Sequence, residues 1–243
     1  MKIPRLPDTD LARLAPLEPD ARRRQMMRMK GGRPPFSYEP TKKHLSDILG
    51  VQGGLLPARD VAWRELGRQI ERASKGNDEA AANLEVSKLV YDFVRKDGYE
   101  VQHHDFGRFP LLGSGEFVTY WANAILLRGS ELVALGFDFR RATAGLTEAA
   151  RRFAFSVMHE QIRAQNPTDF GDLVLTVVQF PQHRKQPRYV KLTPDAGVEL
   201  FSYDRILQLA GETLTMWREV YEERTEDVRR TGTGGDWWQG GAS

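Results

Sequence analysis

One stretch limits what this chain can fold into more than any other: an apolar run that ends in an acid and a base two residues apart, Asp138 and Arg140, within residues 132–141. Read as a strand, its period of two puts Asp138 and Arg140 on one face. Upstream, residues 116–127 read as a second strand, turned back by Arg128, Gly129 and Ser130. Before both, residues 83–94 read as a helix, with Leu84, Leu89, Val90 and Phe93 at core-type spacing. After them, residues 146–165 form a long amphipathic helix, and residues 172–180 form the most apolar strand, expected at the interior of a sheet. The expected architecture is α/β: a small mixed sheet flanked by helices.

The order of helix with Glu, antiparallel hairpin, acid-x-base at a strand end and further helix resembles the PD-(D/E)XK nuclease core. Within it, the chain resembles the TnsA-like endonucleases of heteromeric transposases over about residues 83–180. The resemblance implies a restriction-endonuclease-like fold. It places Glu85 on the helix acid, Asn123 on the strand acid, and Asp138 with Arg140 on the last pair, as the catalytic set. Glu85 and Asp138 would hold Mg²⁺ against a scissile phosphate, with Asn123 as a neutral third ligand. Two positions depart from the pattern: Asn123 lacks the charge of an Asp, and Arg140 replaces a Lys but cannot act as a base. The expectation is therefore a cytoplasmic DNA-binding protein of a bacterial mobile element that cuts, or only binds, DNA at a transposon end beside a transposase. In the purely structural alternative, Asp138 and Arg140 are a strand-end ion pair and Glu85 pairs with Lys88, with no metal bound.

Charge is distributed unevenly. The net charge is only +2, yet Arg22, Arg23, Arg24, Arg28, Lys30 and Arg33 form a run with no acid inside it. With Arg141, Arg151 and Arg152 beside the candidate site, these are the expected DNA contacts, through phosphates and blind to sequence. The other reading of the run is a solvated arm. Residues 1–40 hold seven prolines and are expected to be an extended basic arm, with a helix admissible only over residues 19–30. Residues 41–228 would then be the α/β domain and residues 229–243 a Gly-rich tail.

Several classes of chemistry find no support. The absence of Cys excludes disulfides and thiolate metal sites. His103 and His104 are adjacent and point apart on a strand, and His159 lacks a second His at helical spacing. No apolar run approaches the length of a membrane span. In the tail, Trp237 and Trp238 sit in Gly-rich chain that cannot build its own core. They are expected either to dock on a protein partner or to fold back on their own domain. The rival functional class is thus a non-enzymatic interaction module that uses its N-terminal arm and its Trp-Trp tail.

Overall fold

The computed structural model describes residues 3–29, 37–51, 61–140, 145–182 and 186–231. Along the chain run α1 (Asp8–Leu14), α2 (Pro19–Arg28), α3 (Glu39–Lys43), α4 (Leu45–Leu49), α5 (Trp63–Ala73), α6 (Asn77–Lys96) and β1 (Glu100–His103). The ribbon β2 (Phe109–Leu111) and β3 (Glu116–Val118) follows, then β4 (Ala124–Arg128), β5 (Glu131–Asp138) and α7 (Glu148–Met158). A π-helical turn (His159–Arg163) continues α7, before α8 (Pro167–Phe170), β6 (Val174–Gln179), β7 (Lys191–Pro194) and α9 (Tyr203–Thr231).

The main sheet has the order β1-β4-β5-β6-β7. β5 and β6 are parallel and joined through α7, while the other three pairings are antiparallel. The expected α/β class holds. Apolar alternation divides the sheet between two cores. One face packs against α1, α2, α7 and α9 through residues such as Leu11, Met26, Phe153 and Leu214. The other packs against α4, α5 and α6 through Ile48, Leu66, Val86 and Val90. Among the described residues no helix is long and apolar enough to cross a membrane.

The expected strand over residues 116–127 is interrupted. β3 pairs only with β2, whereas β4 joins the main sheet. The chain between them passes close over β5, where the Ala122 N–H donates to the Leu135 carbonyl at 2.8 Å. A Cβ at Gly136 would lie 2.3 Å from the Tyr120 carbonyl oxygen, so glycine is required for that crossing. Asn123 therefore sits just before β4 and outside any strand.

The N-terminal region also departs from the extended arm expected of it. Pro7 precedes α1, and Pro19 occupies the first turn of α2, where a missing N–H costs nothing. The prolines thus set helix starts rather than preventing helices. Leu6, Leu11, Leu14 and Met26 are buried in the same core as α9.

Candidate functional site

The C-terminal end of β5 is where the sequence pattern points. Asp138, only 1% exposed, closes the strand. One carboxylate oxygen accepts the Leu146 N–H at 2.6 Å and the Gln179 side-chain amide at 3.2 Å. The other accepts the Arg140 N–H at 3.3 Å and faces the Arg140 guanidinium at 3.6 Å. A buried carboxylate demands such donors. Here they fix both ends of the connection between β5 and α7. Arg140 reaches on to Asp10 of α1 at 2.7 Å, tying the sheet end to the N-terminal helix.

Glu85 lies part-exposed on α6, 3.8 Å from the Arg188 guanidinium. Lys88 instead bonds Asp92 on the same helix. Arg188 is 3% exposed and donates to the carbonyls of Phe180 (2.9 Å) and Phe139 (2.7 Å) and to the Tyr38 hydroxyl (3.1 Å). Its guanidinium also lies near the rings of Tyr38 and Phe180, and Phe139 stacks between Tyr38 and Phe180. A fixed cation with aromatic neighbours thus occupies the space between α6 and the end of β5. Asn123 is exposed, and its carbonyl accepts the His104 N–H at 3.2 Å. The ion pair of Asp138 with Arg140 is present, while Glu85 and Asp138 each have protein partners of their own. No group of three or more His, Asp and Glu able to hold a metal ion occurs among the described residues.

Several of the basic residues serve the fold. Arg22 is 2% exposed, donates to the carbonyls of Ala15 (2.9 Å) and Leu17 (3.0 Å) and pairs with Glu212 at 3.3 Å. Arg23 pairs with Glu219 and Glu223 of α9. Arg151 donates to Leu146 O and Gln179 Oε1, and Arg152 pairs with Glu199 and stacks on Phe201. Arg24 and Arg28 are exposed on α2. Lys30, Arg33, Arg141, Trp237 and Trp238 lie outside the described residues. Sequence reasoning overlooked Arg188, Gln179 and Asp8, because partners such as Phe139, Asp138 and Thr119 lie tens of residues away and leave no periodic trace. Asp8 accepts the Thr119 N–H at 3.1 Å, and burial raises its pKa. The Tyr120 hydroxyl donates to the Asp8 carbonyl, and burial pushes its pKa well above the usual phenol value.

Beside Asp138, elements from both layers enclose an open cleft of about 420 Å³. Asp8 and Thr9 come from α1, Lys42 and Ser46 from α3 and α4, Asn123 from the turn before β4, and Phe137 from β5.

Comparison with known proteins corrects the functional expectation. The model of the family described as "Sliding clamp-binding bacterial toxin SocB" matches residues 9–227. The "DNA replication inhibitor toxin SocB" of Caulobacter vibrioides (strain NA1000 / CB15N) is 44% identical over 240 residues, covering 99% of this chain and 100% of that protein. No solved structure matches. The likeness to TnsA-like transposon endonucleases, and with it a role at transposon ends beside a transposase, is overturned by these matches. The reason lies in the pattern itself. An acid and a base at a strand end serve a loop anchor as well as a metal site, and here every donor around Asp138 belongs to the fold. The family match begins within α1 and ends within α9, so it takes in both helical layers and the sheet. The chain belongs to the SocB family of bacterial toxins.

Proposed function

We propose that this protein is a toxin that binds the bacterial sliding clamp and thereby arrests DNA replication in the cytoplasm. The observation that carries the reading is the 44% identity that runs through 99% of this chain and the whole of the relative, a replication inhibitor toxin. The site geometry agrees with action through contact rather than through bond cleavage. Asp138 and Arg188 spend their hydrogen bonds on loop and sheet carbonyls and amides. This is the interaction-module class, with a protein as target. The tail residues Trp237 and Trp238 contribute an aromatic anchor to the partner contact, since large aromatics dominate such interfaces.

The test is direct. Purified protein is titrated against the sliding clamp of its own host by calorimetry, and clamp-dependent primer extension is followed in parallel. Saturable binding with arrest of extension is expected, and the binding, followed by calorimetry, should be insensitive to chelation of divalent ions. Arrest without clamp binding, or nicking of the template, would refute the proposal. Replacing Trp237 and Trp238 by Ala should weaken clamp binding and leave the melting temperature unchanged. A fall in melting temperature would place the two indoles on their own domain.

A further inference from the structure

The cleft at the end of β5 has a composition that the loop-anchoring role of Asp138 does not explain. It opens at the carboxyl ends of the parallel pair β5 and β6, the position at which open α/β sheets bind small ligands. Its volume of about 420 Å³ falls toward the lower part of the range for small-molecule sites, roughly 300–1,000 Å³. That excludes a duplex and suits a single ring system with a small substituent.

Three kinds of group meet there. Flat apolar surface comes from Phe137, whose ring lies within 5° of the plane of the buried Phe139 at a centroid distance of 5.5 Å. Neutral hydrogen-bonding edges come from the Asn123 amide and the hydroxyls of Thr9 and Ser46, none of which is bonded to another side chain or to the backbone among the described residues. Charge comes from Asp8 and Lys42, which are opposite in sign and cancel, and Lys42 is further paired with Glu39 at 2.9 Å. The Asp8 carboxylate is also engaged by Arg5 and by the Thr119 N–H.

Each feature narrows the ligand. An amide presents a donor and an acceptor side by side, the pattern that reads the edge of a heterocycle. Aromatic faces accept such a ring by stacking. Among the described residues the lining carries no net positive charge and so offers nothing to a phosphate, and a carboxylate already engaged by two donors does not select a cation. From this we infer that the cleft is a nucleobase site, which takes an unphosphorylated nucleoside or free base, with Asn123 reading its edge and Phe137 forming the stacking wall.

The experiment uses the full chain and ligand-observed NMR with the four deoxynucleosides, the four ribonucleosides and free phenylalanine. Saturable binding of at least one nucleoside is expected, with phenylalanine weaker. Asn123→Leu should weaken that nucleoside at least tenfold while keeping the cleft apolar. Ser46→Trp, placed at an exposed position of α4, should block the cleft and abolish binding. Thermal melts of both variants matching the parent keep these losses attributable to the site. Absence of saturable binding to every nucleoside overturns the inference, as does equal affinity in Asn123→Leu or tighter binding of phenylalanine. Clamp binding is measured separately, so a failure here leaves the toxin reading standing and the converse also holds.

Discussion

Arg188 and Asp138 show how single buried charges organise this molecule. Replacing Arg188 by Ala would leave the buried carbonyls of Phe139 and Phe180 without this donor and remove its bond to the Tyr38 hydroxyl. Hydrogen bonds to charged groups contribute about 1.5–3 kcal/mol each, and breaking a buried charged network costs roughly 3–5 kcal/mol. A loss of that order is expected in urea denaturation, with the Lys variant recovering only part of it because an ammonium cannot span three acceptors in a plane. Asp138→Asn tests the same logic. Every neighbour of that carboxylate is a donor, so an amide NH₂ turned toward any of them removes an acceptor and adds a repulsive contact. A drop of about 2 kcal/mol is expected, and it should be unaffected by added Mg²⁺. An equal stability with and without the substitution, but a lost response to Mg²⁺, would mark Asp138 as a metal ligand instead. At this scale the sequence was partly legible. The acid and base at the strand end announced their ion pair. Their further partners, Asp10, Leu146 and Gln179, are fixed only by the tertiary fold.

At the level of elements, the best example is the seam between α6 and α3. Glu79 and Asn83, one turn apart on α6, are buried and face Ser37 and Thr41. The Glu79 carboxylate accepts the N–H and hydroxyl of Ser37 and the Lys75 N–H, and these bonds, that to Lys75 foremost, lower its pKa below the usual 4.5. A carboxyl whose pKa is lower in the folded state adds stability above its unfolded value, and that stability disappears as pH falls through the folded value. Acid unfolding should therefore begin to draw on Glu79 below about pH 4.5, and Glu79→Gln should flatten the acid limb of a stability–pH curve while lowering the plateau at neutral pH. An unchanged acid limb would remove Glu79 from the seam. Element boundaries show what periodicity carries and what it misses. The helices α5, α6 and α7 and the strand β6 follow from their apolar spacing. The split of residues 116–127 into β3 and β4 does not, because it depends on the chain crossing Gly136. Nor does α1: counting prolines suggested an arm there, whereas Pro7 stands at a helix start, and α2 falls within residues 19–30, where the sequence admitted a helix.

For the whole molecule, the N-terminal region is part of the fold. Deleting residues 1–29 removes Leu6, Leu11, Leu14 and Met26 from the core, together with the Arg22 bonds to Ala15, Leu17 and Glu212. Loss of cooperative unfolding is expected, visible as a broad melt and a shallow urea transition, rather than a folded core with weaker DNA affinity. Leu11→Ala alone should cost about 3 kcal/mol. A truncated protein that melts as sharply as the parent would restore the arm. The sequence conveyed the α/β class and the sheet because those rest on local apolar pattern. It misled on function because an acid-x-base pattern has more than one structural use.

The pairing of the first and last helices has a consequence for biosynthesis. The core face that holds α1 and α2 is completed by α9, through the Trp217 indole donating to the Pro4 carbonyl, the Arg22–Glu212 pair and the Arg224 bond to Met29. The ribosome releases α9 after every other element of the fold. Until then α1 and α2 lack the part of their packing that α9 supplies. A nascent chain therefore cannot close this layer before α9 is made, and a message cut short before α9 yields an open protein with part of its N-terminal apolar surface exposed to chaperones and proteases. The N-terminal layer closes only when α9 has emerged.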